Sequence, residues 1–363
     1  MDVPVELIQR IQTLLPVEEA ARTCVLSKTW SHSWSTIPHL RFDQTLWFLD
    51  EEKERDYIKF MYRTMSRYVQ DNIPIESFDL KLDDLQSVSV PYEWIRTVVA
   101  ARLKELSINT SSEFYILPGE IFSGKYLHTL SIENSSVSPK PPHVINCVSL
   151  RVLKLFRMKI SEEVLDTLFS TCTLLERINL SYCKGLKKIK VRSLCYLQQL
   201  KLETRLPFDV LKIDDVPNLC LFSYLVEFEH IKTLNMASLT SVTKLSLHGV
   251  TIDVPFLDMI KSKLPSLEIL DLVIRNWTLK RLDFTSTSLK RLTLENGKRW
   301  IDIQVFAPKL LYFCYKGYIM PSLLFPSSNA LEDIEIEVET GDPIDHSFFL
   351  MIDEGGTQFI KQV

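Results

Sequence analysis

Glycine is scarce in this chain, nine in 363 residues, and none stands in a G-x-G-x-x-G or G-x-x-x-x-G-K-[ST] pattern. A backbone cradle for phosphate needs glycine at such spacings, so nucleotide chemistry has no support. There is no G-x-S-x-G elbow to present a serine nucleophile. The seven histidines, His32, His39, His128, His143, His230, His248 and His346, form no H-x-x-x-H or H-E-x-x-H pair. No metal and no cofactor is therefore expected; His128 and His248 read as surface or half-buried positions in or just after repeat strands. Seven cysteines are an odd number without a C-x-x-C pair, and read as reduced, packed thiols. Cys172 and Cys183 flank one candidate strand, and a nucleophilic role would require a base beside them. No run approaches the ~18 uninterrupted apolar residues of a membrane span. Asp2, Pro4 and Glu6 stand where a signal peptide would carry basic and then apolar residues. The expected location is cytoplasmic and/or nuclear, where the N-x-S/T sequons at Asn109, Asn134, Asn179 and Asn276 carry no meaning. Positive charge is not in excess either: 42 Lys and Arg against 46 Asp and Glu leave a formal net charge of −4. That balance favours neither nucleic acid nor a membrane surface as partner.

What the chain does have is apolar residues at two distinct spacings. In residues 3–42, Leu7, Ile8, Ile11, Leu14 and Leu15 recur at three and four, one face of a first helix. Pro16 is suited to the first turn of a second helix, over 17–26, with Ala20, Ala21, Cys24 and Val25 inward. Ser27 caps a third helix that carries Trp30 and Trp34 one turn apart. Three helices this short cannot bury so much apolar surface among themselves, so part of it must meet a partner. Further helices are expected over 51–70, with Tyr57, Ile58, Met61, Tyr62, Met65, Tyr68 and Val69 as a stripe, and over 92–102, with Trp94, Ile95, Val98 and Val99 on one side.

From there the unit L-x-x-L-x-L repeats. Its fourth position falls at Phe78, Leu106, Leu130, Leu153, Ile178, Leu200, Phe222, Leu245, Leu270, Leu292, Phe313 and Ile334, at intervals of 21 to 28 residues. A leucine-rich repeat has a period of roughly 20–29 residues, so twelve coils fit. A second series at 186–191, 208–213, 231–236 and 279–284 lies halfway between. That spacing is too short for a helical crossover, so those coils are extended on the outer side. Elsewhere the outer side reads as helix, over 162–172 with Val164, Leu165, Leu168 and Phe169 inward, and over 255–263 with Phe256, Leu257 and Ile260 inward. The fold class is α/β: a small N-terminal three-helix domain, then a solenoid with a parallel concave sheet and a mixed helical and extended convex side. The expected divisions are 1–45, a helical and strand bridge and cap over 46–102, the solenoid over 103–336, and an acidic to mixed tail over 337–363.

The residues Pro4, Glu6, Leu7, Ile8, Ile11, Leu14, Leu15, Pro16, Glu19, Ala20, Thr23, Val25, Leu26, Ser27, Trp30, Trp34, Pro38 and Phe42 together resemble the F-box of plant-type F-box/leucine-rich-repeat proteins. The stretch over 91–106 resembles that family's junction between F-box and repeats. The resemblance implies docking on a Skp-type adaptor and, through it, a cullin ubiquitin ligase. It assigns the adaptor contact to Pro4, Leu7, Ile8, Ile11, Leu14, Leu15, Pro16, Val25, Leu26, Trp30 and Trp34, each acting by burial. Two departures lead us to expect a weaker contact: Val3 stands where the family has Leu, and the family carries residues upstream of Met1. Some relatives add a C-terminal FBD-type domain, which is divergent or missing in the tail here. Others bind an inositol polyphosphate or a small hormone, but no basic cluster falls in the concave column.

That column is the residue between the last two apolar positions of each unit. It runs Asp79, Ser107, Ser131, Lys154, Asn179, Lys201, Ser223, Ser246, Asp271, Thr293, Cys314 and Glu335. Two residues further on it adds Phe156, Leu225, His248, Val273 and Lys316. Lys154, Phe156, Asn179, Lys201 and Leu225 form the candidate client-binding patch, against the plainer reading of a solvated sheet. The basic run Lys184, Lys187, Lys188, Lys190 and Arg192 reads as the exposed side of one outer half-coil. The functional expectation is a non-catalytic substrate receptor holding an unknown client protein. The alternatives are a non-degradative interaction scaffold and a small-molecule-sensing receptor.

Overall fold

The computed structural model describes residues 3–15, 17–44, 51–82, 92–100, 102–111, 115–137, 144–229, 231, 238–277, 279–296, 302–319, 321–326 and 330–338. Pro16, residues 232–236 of one expected outer segment and residues 339–363 of the tail lie outside them. The chain forms two compact units, Met1–Leu186 and Lys187–Val363.

The first unit opens with α1 (Val5–Leu14), α2 (Val17–Arg22), a 3-10 turn (Thr23–Val25) and α3 (Lys28–Ser35). Ser27 caps α3 as its sequence suggests, its Oγ accepting from the Trp30 amide at 3.3 Å. The second helix is shorter than expected. Its last turn tightens to 3-10, and Val25, expected inward, points into solvent. A tighter turn rotates each residue further about the axis than an α-helix does, which carries Val25 off the inner face.

Two longer helices follow, α4 (Glu51–Gln70) and α5 (Tyr92–Ala100). Tyr57, Met61, Met65 and Tyr68 of α4, and Trp94, Ile95, Val98 and Val99 of α5, are buried. Six parallel strands make the sheet of this unit: His39–Asp43, Ser77–Leu82, Glu105–Thr110, Thr129–Glu133, Val152–Phe156 and Arg177–Ser181. The first is a strand the repeat pattern did not mark. It sits at the end of the F-box-like segment and pairs with Ser77–Leu82 through Leu40↔Phe78 and Phe42↔Leu80. Leu40, Phe78, Leu106, Leu130, Leu153 and Ile178 thus stand in one register line, every one essentially sealed from solvent. Each such side chain contributes roughly 1.5–3 kcal/mol by burial. On the outer side, Ile116–Leu117 pairs with Ser136–Val137, and α6 (Glu162–Thr171) buries Val164, Leu165, Leu168 and Phe169 as expected.

The second unit repeats the design. Its seven parallel strands are Gln199–Thr204, Leu221–Val226, Lys244–Ile252, Ile269–Trp277, Arg291–Asn296, Tyr312–Gly317 and Asp333–Val338. Every L-x-x-L-x-L unit read from the sequence falls on a strand of one unit or the other. The outer side is extended where the half-spaced copies predicted: Lys188–Arg192 pairs with Val210–Asp214, and Arg281–Thr285 with Asp302–Phe306, which also pairs with Ser322–Leu324. One outer helix, α7 (Val254–Lys263), starts on Asp253, whose Oδ1 accepts from the Phe256 amide at 2.8 Å. Ile260 is buried there, while Phe256 and Leu257 are half-buried. The mixed α/β architecture is that of a leucine-rich-repeat solenoid.

Tight turns leave several strands through left-handed backbone, at Asn134, Arg157, Tyr182, Ser193 and Asp215. Gly185 has φ +89°, and a Cβ placed on it would lie 2.7 Å from the Ile160 carbonyl oxygen. Backbone cannot yield as a flexible side chain can. Gly185→Ala is therefore expected to cost about 1–3 kcal/mol from conformation alone, with the clash in addition. A urea titration of wild type and variant measures the loss as a lower midpoint at unchanged slope.

Candidate functional site

The three N-terminal helices are held by buried amides that the sequence reading did not single out. Gln12, buried inside α1, donates from Nε2 to Thr23 Oγ1 at 2.8 Å and to the Trp30 carbonyl at 3.1 Å. Its Oε1 accepts from Ser33 Oγ at 2.9 Å. One side chain thus ties α1 to both later helical segments, with its polar groups satisfied as burial demands. Gln9 adds a bond from Nε2 to Thr36 Oγ1 at 3.1 Å. The available signal was two glutamines three apart on a helix that is otherwise apolar at the inward positions.

With the interior closed, much of the remaining apolar surface lies outside. Leu7, Ile11 and Leu14 recur at four and three along α1 and are all exposed, Leu14 at 81 %. Val25 and Leu26, between α2 and α3, are 88 % and 63 % exposed. Pro4 is exposed, while Leu15 and Trp30 are half-buried. Two residues expected at the contact go elsewhere. Ile8 is 1 % exposed and Trp34 is 6 % exposed, so their surface is already spent on the core. Trp34 stacks on Phe60 of α4 with ring centroids 6.4 Å apart. The Arg67 guanidinium of α4 sits 5.7 Å from the Trp34 ring centroid and 5.2 Å from that of Tyr68. Tyr68 donates its hydroxyl to the Ile37 carbonyl at 2.8 Å. The three-helix segment is therefore clamped to α4 rather than tethered to it.

The concave strands present the other candidate surface. In the first unit, Lys154 is exposed, Asn179 is half-buried and Phe156, expected to be exposed, is half-buried. Phe156 loses exposure because the Tyr182 ring meets it edge-on, centroids 6.0 Å apart, and Arg157 lies 5.1 Å from its centroid. In the second unit, Lys201 is exposed and Leu225 is half-buried, flanked in register by Glu203 and His248. Cys314, read as a concave position, is buried; it is in register between Thr293 and Glu335, and Tyr312, on its own face, donates its hydroxyl to Glu335. Burial also pushes the His248 imidazole below its ordinary range, against the upward pull of Glu295, Asp271 and Glu203.

Cys147, Cys172 and Cys183 are poor nucleophiles here. Burial raises Cys147, Cys172 and Cys183 to about 12, so all three stay protonated at neutral pH. Cys183 donates to the Leu155 carbonyl at 3.5 Å, a structural use. Among the described residues no group of three His, Cys, Asp or Glu side chains is placed to hold a metal ion. No helix among them is long and apolar enough to cross a membrane. Lys184, Lys187, Lys188 and Arg192 of the basic run are exposed, as expected of an outer half-coil.

Comparison with known proteins agrees with this architecture. The family model described as the At1g61320/AtMIF1 LRR domain matches residues 70–236. The F-box/FBD/LRR-repeat protein At1g13570 of Arabidopsis thaliana is 28 % identical over 200 residues, covering 54 % of this chain and 47 % of that protein. F-box/LRR-repeat protein 25 of the same plant is 26 % identical over 207 residues, 56 % of this chain and 75 % of its own length. A third Arabidopsis thaliana protein, with an F-box name, is 24 % identical over 345 residues, 93 % of this chain and 83 % of its own. The chain spans less than half the length of several curated relatives that it matches. No solved structure matches. The resemblance to plant F-box/leucine-rich-repeat proteins read from the sequence thus holds.

Proposed function

We propose that this chain, similar to the plant F-box/leucine-rich-repeat proteins, is a substrate-recognition subunit of a Skp–cullin–F-box ubiquitin ligase. One observation carries the reading. A folded three-helix segment with a satisfied interior still exposes Leu7, Ile11, Leu14, Val25 and Leu26. A protein–protein interface of standard size buries about 1,600 Å² around a few dominant apolar residues, and this segment offers such residues. The adaptor contact is assigned to Leu7, Ile11, Leu14, Val25 and Leu26, with Pro4, Leu15 and Trp30 at its margin. A cullin scaffold would be engaged only through the adaptor.

The concave strand faces would hold a client protein, through Lys154, Phe156 and Asn179 on the first unit and Lys201 and Leu225 on the second. The chain would supply no chemical step. Ubiquitin transfer by other subunits would be accelerated by the raised local concentration of the client. The clamp of Trp34, Arg67 and Phe60 supports this division of labour, because a fixed junction turns docking into a defined client position. No nucleic acid, membrane or cofactor enters the reading. Capture of a purified Skp-type adaptor by the intact chain tests it, and a chain that fails to bind adaptor is not such a subunit.

A further inference from the structure

The concave face of the first unit pairs four of its charges internally. Arg41 pairs with Asp79 at 3.5 Å and Lys81 with Asp43 at 3.7 Å. Glu133 accepts from Asn109 Nδ2 at 2.7 Å. Lys154 and Arg157 have no carboxylate partner among the described residues, and Lys154 is exposed beside Asn179 in register. The Asn179 oxygen already accepts from Ser181 Oγ at 2.8 Å, which leaves its amide nitrogen as a donor. Arg157 follows directly on the strand and lies against Phe156. Arg157 and Tyr182 both have left-handed backbone, φ 48° and 55°, and the Arg157 amide donates to the Ser181 carbonyl at 2.8 Å. Three donors with no acceptor of their own therefore stand beside an aromatic pair.

We propose that Lys154, Arg157 and Asn179, with the Phe156–Tyr182 pair, bind an acidic segment of the client: an Asp or Glu carboxylate followed by an apolar side chain. The proposal rests on the reading that the repeats hold a client, and names that client's chemistry. Charge-assisted hydrogen bonds are roughly twice as strong as neutral ones, and a half-buried ring pair is where an apolar neighbour would rest. Glu133, in register with Phe156, sets the polarity. It repels anions on its side of the ring and bears harder on a dianion, so a single carboxylate suits the site better than a phosphate.

A random twelve-residue display library selected on the full chain tests this, beside the variant Lys154→Gln with Arg157→Asn. Asparagine tolerates the left-handed backbone, so the variant keeps the turn. The wild type is expected to enrich Asp or Glu next to Phe, Leu or Ile. The variant should bind the selected peptides at least about tenfold more weakly, a 1.4 kcal/mol difference, with adaptor capture unchanged. Enrichment without acidic residues, or peptides equally bound by the variant, overturns the assigned chemistry while leaving client binding intact. A wild type that enriches nothing overturns the client reading as well. Tighter binding of a peptide with phosphoserine in place of its Asp also overturns the choice of carboxylate.

Discussion

Leu14→Glu combined with Val25→Glu is expected to abolish capture of a Skp-type adaptor while the chain unfolds at its normal denaturant midpoint. Both side chains are almost wholly in solvent, so the free chain loses little by the change. Surface substitutions of this kind shift stability by about 0.5 kcal/mol or less. Binding is a different matter. A dominant apolar interface residue contributes about 2 kcal/mol or more when truncated, which is roughly a thirtyfold loss of affinity. Two together approach a thousandfold, and a carboxylate driven into an apolar interface adds a desolvation cost. A binding titration of adaptor against wild type and variant, with a urea unfolding curve for each, measures both halves. Undiminished binding would remove Leu14 and Val25 from the contact, and with them the assignment of this surface.

Trp34→Ala is expected to reach a similar loss of adaptor by another route. Removing a buried tryptophan costs about 3–5 kcal/mol, and here it also takes away the ring beneath Arg67. The Arg67 Nε and Nη2 atoms are buried without a hydrogen-bond partner among the described residues, so the Trp34 ring face is part of what makes that position tolerable. The expected outcome is local: the three-helix segment opens while the repeats, with their own register lines of buried Leu, Ile and Phe, persist. Limited proteolysis should then cut within residues 3–37 and leave the repeats intact, whereas the Leu14 and Val25 variant resists cleavage like the wild type. A variant that binds adaptor normally and resists protease would show that Trp34 does not hold the segment to α4.

The repeats were legible because parallel strands buried on a common core carry the same apolar spacing in every coil. Phe78 to Ile334 could be read as one series, and each falls on a strand. The strand His39–Asp43 was not legible as such, since a single copy of Leu40 and Phe42 has no second copy to set its period. The outer strands Ile116–Leu117 and Ser322–Leu324 are too short to show alternation. In the candidate docking surface, apolar spacing identified the helices but could not divide inward from outward. Ile8 and Leu7 differ by one residue, and only the packing of α1 on α3 decides that Ile8 is core and Leu7 is surface. Trp34 turned inward because α4, distant in sequence, brings Phe60 and Arg67 to it. Arg157 and Tyr182 escaped notice because left-handed turns usually announce themselves by glycine or asparagine, and here long side chains occupy them.

The most direct measurement of the central claim is ubiquitin transfer in a ligase assembled from purified adaptor, cullin and this chain, with a client captured by the intact chain. Ubiquitin is expected on the client only when this chain is present, and Leu14→Glu with Val25→Glu is expected to eliminate transfer without releasing the client from the repeats. Stable binding of both adaptor and client with no ubiquitin transferred would contradict it and leave the chain an interaction scaffold.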